Sequence, residues 1–184
     1  MNHDIPPPFK LSKPSQLDRK YSLSVVQNPI RARCCGFGEK DRRPIDPPPI
    51  LQLTAKNSFG EAIDLKPEDS VLFLVQCELY NEDMTENRTL VYTPWSTNQQ
   101  QHNDNDLSVR TEGIFTLKFV FIDLAFGEPL RKTTQIQQTV FSSTFQVYPA
   151  KKFPGLTEST SLSRCFSKQG IKIPIRNDSP YKRI

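Results

Sequence analysis

Histidine is nearly absent from this sequence: its two copies are His3, beside the N-terminus, and His102, inside a polar run. A hydrolytic triad, a metalloprotease helix or a histidine-based zinc site would have to be assembled from those two positions, which argues against an enzyme. Also missing is any apolar run near the roughly 20 residues that a membrane helix needs. The opening MNHDIPPPFKLSKPS lacks the apolar middle of a secretory signal, so the chain reads as intracellular with no membrane partner. Its four cysteines show no C-x-x-C spacing, and the neighbours Cys34 and Cys35 are poor bridge partners, so reduced thiols are expected. GFG followed by EKDRR is neither a dinucleotide fingerprint nor a phosphate loop with its Lys-Ser/Thr ending. The acidic pairs Glu82 and Asp83, and Asp104 and Asp106, sit in hydrophilic stretches and read as solvated loop charge rather than acid–base machinery. The expectation is therefore no catalytic residue, no metal, no cofactor and no small-molecule substrate.

Core formers are sparse as well. Hydrophobic residues make up 36% and the mean hydropathy is -0.53, against roughly 45 to 50% apolar residues in an average globular chain. At 184 residues this suits one packed domain plus loops or tails. Residues 1–19 are polar and broken by prolines, and are expected to form a flexible arm.

Strand periodicity begins after that. YSLSVV puts Tyr21, Leu23 and Val25 on one face, and ILQLTA sets Leu51, Leu53 and Ala55 against Ile50, Gln52 and Thr54. SVLFLVQCELY over 70–80 is the most continuously apolar run and suits a central strand. GIFTLKFVFIDLAF aligns Phe115, Leu117, Phe119 and Phe121, and the stretch over 133–149 puts Phe141, Phe145 and Val147 on one parity with Val140 on the other. Turn residues separate these runs and helical spacing is absent before residue 155, so an antiparallel β-sandwich is expected. TPWSTNQQQHNDNDLS over 93–108 reads as a mobile loop. One helix is expected over 157–169, started at Thr157 or Ser159, docked through Leu162, Cys165 and Phe166, and stopped at Gly170.

The net charge of +4 is modest, but its basic residues cluster. Arg31, Arg33, Lys40, Arg42 and Arg43 fall within RARCCGFGEKDRR, and Lys151, Lys152, Arg164, Lys168 and Lys172 lie toward the C-terminus. If IRARC is extended, period two projects Arg31 and Arg33 together, with Ile30, Ala32 and Cys34 opposite. Gly36 and Gly38 permit a turn, and Pro47 to Pro49 stiffen the exit. Arginine suits such a loop because its planar fork grips a phosphate or the O6/N7 edge of guanine with paired hydrogen bonds. The competing reading is a solvated face, or internal ion pairs with Asp41 and Asp46. Arg164 and Lys168, four apart on a helix, would then add phosphate contacts, or the helix simply covers one end of the sandwich. Arginines flanking Cys34 and Cys35 would favour thiolates and oxidation sensitivity, unless Cys34 is a small packed hydrophobe.

Long blocks of the sequence carry more than their charge. SLSVVQNPIRARCCGFGEKDRRPIDPPPILQL resembles the opening block of the velvet domain of fungal transcriptional regulators, and FPGLTESTSLSRCFSKQGIKIPIRND resembles its closing block. With VLFLVQCELY and GIFTLKFVFIDL between them, the likeness covers most of residues 20–178, which would be the velvet DNA-binding domain, and leaves 179–184 as the start of a linker or tail. The short interior is most similar to the spore-viability member of that family. The resemblance implies an immunoglobulin-like, Rel-homology-like β-sandwich with a C-terminal helix and long loops. It implies sequence-specific binding of double-stranded DNA, transcription regulation in development and sporulation, action in the nucleus with possible shuttling to the cytoplasm, and dimerisation with itself or other velvet-family proteins. In Rel-type domains an arginine-rich loop enters the major groove, and the segment from Arg31 to Arg43 matches it in place. The alternative is a dimerisation module without direct base readout.

Overall fold

The computed structural model describes residues 19–36, 41, 43–90, 107–126 and 134–176. The expected arm, apart from Arg19, the expected mobile loop up to 106, the tail and two of the basic candidates, Lys40 and Arg42, lie outside the described residues.

Eight strands and one α-helix form among them: β1 (Lys20–Gln27), β2 (Arg31–Arg33), β3 (Ile50–Lys56), β4 (Ala62–Ile63), β5 (Phe73–Asn81), β6 (Gly113–Asp123), β7 (Ile136–Phe141), β8 (Phe145–Tyr148) and α1 (Ser161–Lys168). One sheet has the order β1-β3-β4 and the other β2-β8-β6-β5, with β7 also paired to β6. This mainly β, two-sheet arrangement with few helices is that of the expected sandwich. The ladder between β2 and β8 is parallel, aligning Arg31 with Gln146, Ala32 with Val147 and Arg33 with Tyr148. β6 runs antiparallel to β8, and β3 to β4.

The alternation in β1 is realised, with Tyr21, Leu23 and Gln27 buried while Lys20, Ser22 and Ser24 face solvent. β6 buries the predicted Phe115, Leu117, Phe119 and Phe121, and it buries Thr116 and Val120 on its other face too. A strand buried on both faces is an interior one, and that place belongs to β6 rather than β5. β5 ends the sheet order and leaves Leu74 at 49% and Val75 at 47% exposure, so the expectation of a central strand there is corrected. The single strand expected over 133–149 is broken in two by Ser142. Its hydroxyl accepts the Leu117 amide at 2.9 Å and its amide donates to the Leu117 carbonyl at 2.8 Å. A side chain thus replaces a ladder carbonyl and ends the regular pairing.

The contacts divide the chain into two compact units, one drawn from Met1–Ser24, Gln52–Cys77 and Phe119–Val140, the other from Val25–Leu51, Glu78–Lys118 and Phe141–Ile184. The first is centred on Tyr21, Phe73 and Phe121, whose rings meet edge to face at 5.0 to 5.8 Å. Tyr21 donates its hydroxyl to the fully buried Asp123 at 2.7 Å. Burial pushes that phenol well above its usual range, and the bond to Asp123 adds to the shift. The second unit contains Ala32, Cys35, Ile45, Val109, Phe145 and Val147 as buried residues, and it carries the basic candidates.

Candidate nucleic-acid interface

β2 presents its arginines as period two requires: Ala32 is fully buried while Arg31 and Arg33 are half-buried on the opposite side. Ile30, expected beside Ala32, is instead 53% exposed. Because β2 runs parallel to β8, Arg33 lies level with Tyr148, two residues before the 3-10 turn Ala150–Lys152 that exposes Lys151 and Lys152. The parallel register therefore brings the start of the basic loop to the second basic group.

The loop stem is held from both sides. Cys34 and Cys35 donate their amides to the carbonyls of Tyr148 at 2.8 Å and Val109 at 2.9 Å. Ile45 donates to Leu107 at 3.0 Å, and Asp46 exchanges backbone bonds with Arg31 at 2.8 and 2.9 Å. Arg110 Nη1 donates to the Gly36 carbonyl at 2.6 Å, and the Cys34 thiol donates to the Arg110 carbonyl at 2.6 Å. Across the loop, the Arg43 amide donates to Cys35 Sγ at 3.1 Å. Asp41 accepts Arg33 Nη1 on Oδ1 and the Gly36 amide on Oδ2, both at 3.0 Å, with Arg43 Nε 4.0 Å away. A Cβ on Gly36 would stand 3.0 Å from Asp41 Oδ2, so a larger residue there would push the carboxylate aside by a few tenths of an ångström. The Gly36 amide, and then Arg33, hold the Asp41 carboxyl below the usual aspartate range.

A second carboxylate anchors the base of the loop. Asp46 accepts Arg176 Nη2 on Oδ1 at 2.9 Å and the Thr157 amide on Oδ2, while Arg176 Nη1 donates to the Thr157 carbonyl. The internal ion pairs considered for Asp41 and Asp46 both exist, and among the described residues the partner of Asp46 is Arg176 rather than Arg33 or Arg43. Arg43 keeps 59% of its side chain exposed. Arg31 reaches the Gly155 carbonyl at 3.5 Å.

α1 departs from expectation in its cap and its buried face. Thr160 is the N-cap, accepting the Ser163 amide at 3.0 Å. Thr157 and Ser159 are engaged elsewhere, Thr157 through Asp46 and Ser159 by accepting the Arg176 amide at 2.9 Å. The residue buried at the docking face is Ser163, at 2% exposure; of the expected stripe, Leu162 and Phe166 are half-buried, and Cys165, which is exposed, is corrected. Gln27 makes the joint: its Nε2 donates to Ser163 Oγ at 2.9 Å and to the Pro48 carbonyl at 2.7 Å, and its Oε1 accepts Thr160 Oγ1 at 2.5 Å. The helix is thereby tied to the proline exit of the loop. Gly170, at φ +89, ends the helix as expected. Lys168 is exposed in the last turn, whereas Arg164 is half-buried and donates Nε to the Ser159 carbonyl at 3.2 Å.

The cysteine expectation changes too. Cys35 is the buried member, at 4%, and burial pushes the Cys34 thiol up rather than down, aided by Cys35 and Glu112 and only partly opposed by Arg33. Among the described residues no group of three or more His, Cys, Asp and Glu side chains could hold a metal ion, and no helix is long and apolar enough to cross a membrane. The residues that sequence reasoning missed are Arg110 and Arg176. Each acts on a group 74 or 130 positions away, a separation that no local pattern reports.

A family model described as Velvet factor matches residues 21–105 and 105–179. The chain is 36% identical over 199 residues to the sexual development regulator VELC of Pyricularia oryzae, covering 92% of this chain and 44% of the relative. It is 32% identical over 199 residues to the spore development regulator vosA of Beauveria bassiana, covering 94% of this chain and 71% of the relative. With velvet complex subunit 2 of Cochliobolus heterostrophus the identity is 27% over 315 residues, covering 91% of this chain and 88% of the relative. That alignment is longer than the 184 residues of this chain, so the relative carries inserted sequence absent here.

Proposed function

The chain belongs to the velvet family, and on that premise we propose that it is the sequence-specific DNA-binding domain of a fungal regulator of development and sporulation, acting in the nucleus as a homo- or heterodimer with velvet-family proteins. The observation that carries the reading is the presentation of Arg31 and Arg33 on one face of β2, with Arg43 tied back beside them through Cys35 and Asp41. Arginines fixed before binding lose less entropy when they grip DNA, and their forks suit guanine edges and phosphates alike. Lys40 and Arg42 extend the same basic segment in sequence. Lys151, Lys152, Arg164 and Lys168 then meet flanking phosphates, which sets register without specifying sequence. Binding of the purified domain to promoter DNA and to a scrambled duplex at near-physiological salt tests this: a site-selective affinity supports it, and equal affinities leave only general basic attraction.

The dimer part of the reading draws on the relatives whose names place them in a velvet complex and on the exposed apolar side chains of β5. Leu74, half exposed on a strand at the end of the sheet order, offers the kind of apolar contact that stable interfaces use. A shift from dimer to monomer on Leu74→Asp, measured by sedimentation, supports that surface; an unchanged dimer removes it.

A further inference from the structure

Beside the arginine loop lies a cleft of about 350 Å³, lined by Arg33, Arg43, Pro44, Phe153, Gly155 and Leu156. Its two walls differ in chemistry. One carries the guanidinium groups of Arg33 and Arg43, their side chains 25% and 59% exposed. The other is apolar: Leu156 is 46% exposed, and the half-buried Phe153 ring is braced by Tyr148 at 6.3 Å between centroids. Gly155 turns the chain between these two side chains with φ +95, a conformation that favours glycine, and its carbonyl meets Arg31 at 3.5 Å.

A duplex backbone would use only half of this. Phosphates satisfy the arginines but leave Leu156 and Phe153 beside a polar chain with nothing apolar to bury. The geometry points to this cleft as a docking site for a short extended segment of a partner protein in which a carboxylate stands next to a large apolar side chain. The carboxylate takes the Arg33 and Arg43 forks, and the apolar side chain lies on Phe153 and Leu156. Charge complementarity selects an acidic segment over a basic one, because among the described residues the two arginines exceed the one carboxylate, Asp41, paired with them. Small concave sites that combine an apolar floor with a few convergent polar groups are the usual form of specific recognition. The docking site does not depend on the DNA reading. Its consequence does: segment and duplex compete for Arg33 and Arg43, so a bound partner removes the domain from DNA.

The test is a random heptapeptide display library panned on the purified domain and, in parallel, on Leu156→Ser. Leu156 is half exposed, so this change keeps the fold. The expected result is enrichment of peptides with Asp or Glu adjacent to Leu, Ile or Phe, seen only with the parent protein. The enriched peptide, labelled with fluorescein, should lose affinity by about tenfold in Leu156→Ser and in Arg43→Ala, and should be displaced by duplex DNA. Leu156→Ser should leave DNA affinity unchanged. Absence of an acidic–apolar consensus, or a consensus peptide whose affinity survives both substitutions, overturns the docking site while leaving the DNA reading standing. Loss of DNA affinity in Leu156→Ser without peptide enrichment also overturns it, by assigning the cleft to nucleic acid. Peptide binding by a domain that fails to discriminate its promoter from a scrambled duplex upholds the docking site and refutes the DNA reading.

Discussion

Arg33 donates to Asp41 at 3.0 Å, and the second oxygen of the same carboxylate takes the Gly36 amide at 3.0 Å. One side chain thus fixes both a cation and the backbone that turns away from it. The same two donors, with Arg43 Nε 4.0 Å away, form the kind of set that would receive a phosphate oxygen.

Replacing this carboxylate separates loop order from net charge. Asp41→Asn removes a negative charge, which raises affinity for any duplex, and it releases Arg33, which blurs the specific site. The expected outcome is tighter binding to scrambled DNA and a specific-to-scrambled ratio lower by about tenfold, read from paired titrations. Because the folded Asp41 carboxyl lies below the ordinary value of about 3.9, its contribution is fully present above that value and is lost as pH falls through the lowered one. Loop-dependent discrimination should therefore be flat with respect to Asp41 between about pH 5 and 8.

Arg176→Ala leaves the buried Asp46 without its cation. Asp46 keeps the Thr157 amide, and Arg176 is itself about a third exposed, so the expected loss is about 1 to 3 kcal/mol in chemical denaturation. The double change with Asp46→Asn should cost less than the sum of the two single changes. Additive effects would show that the pair is not coupled.

Gln27→Ala deletes the side chain that joins α1 to the loop exit. Ser163 and Thr160 lose a partner in a buried site, and a cost of about 1 to 3 kcal/mol is expected. Increased hydrogen exchange at both Ser163 and Asp46, whose segments Gln27 connects, is the accompanying sign; a change confined to the helix contradicts the joint.

Thiol reactivity should follow exposure. Cys165, on the open side of α1, is expected to be alkylated first, Cys34 more slowly, and Cys35 last. Mass spectrometry over a time course reads the order, and modification of Cys165 alone should leave DNA affinity unchanged.

The strand faces were legible because a two-residue period survives in Tyr21, Leu23, Phe115, Leu117 and Phe119, and solvent enforces it locally. Which strand sits inside was not, since β5 is as apolar in composition as β6 and pairing order is a long-range property. Ser142 divides β7 from β8 through its hydroxyl, which in sequence is one serine of a Ser-Ser-Thr run. Of the candidate site, the shared face of Arg31 and Arg33 was readable from spacing. The clamps by Arg110 and Arg176 were not, because their partners Gly36 and Asp46 lie far off in the chain. The helix face was legible only in part, through Leu162 and Phe166, because a polar serine, held by Gln27, occupies the most buried place, where an apolar contact is ordinarily sought.

The central claim, that the β2 loop reads DNA, is tested most directly by measuring dissociation constants for a selected promoter site and its full set of single-base variants, with the parent domain, Arg33→Ala and Arg43→Ala. The account predicts that at least one substitution removes discrimination at one base position by about 1 to 3 kcal/mol, while Arg43→Ala shifts stability by no more than about 0.5 kcal/mol. Profiles of all three proteins that coincide at every base, with each protein folded, would contradict it.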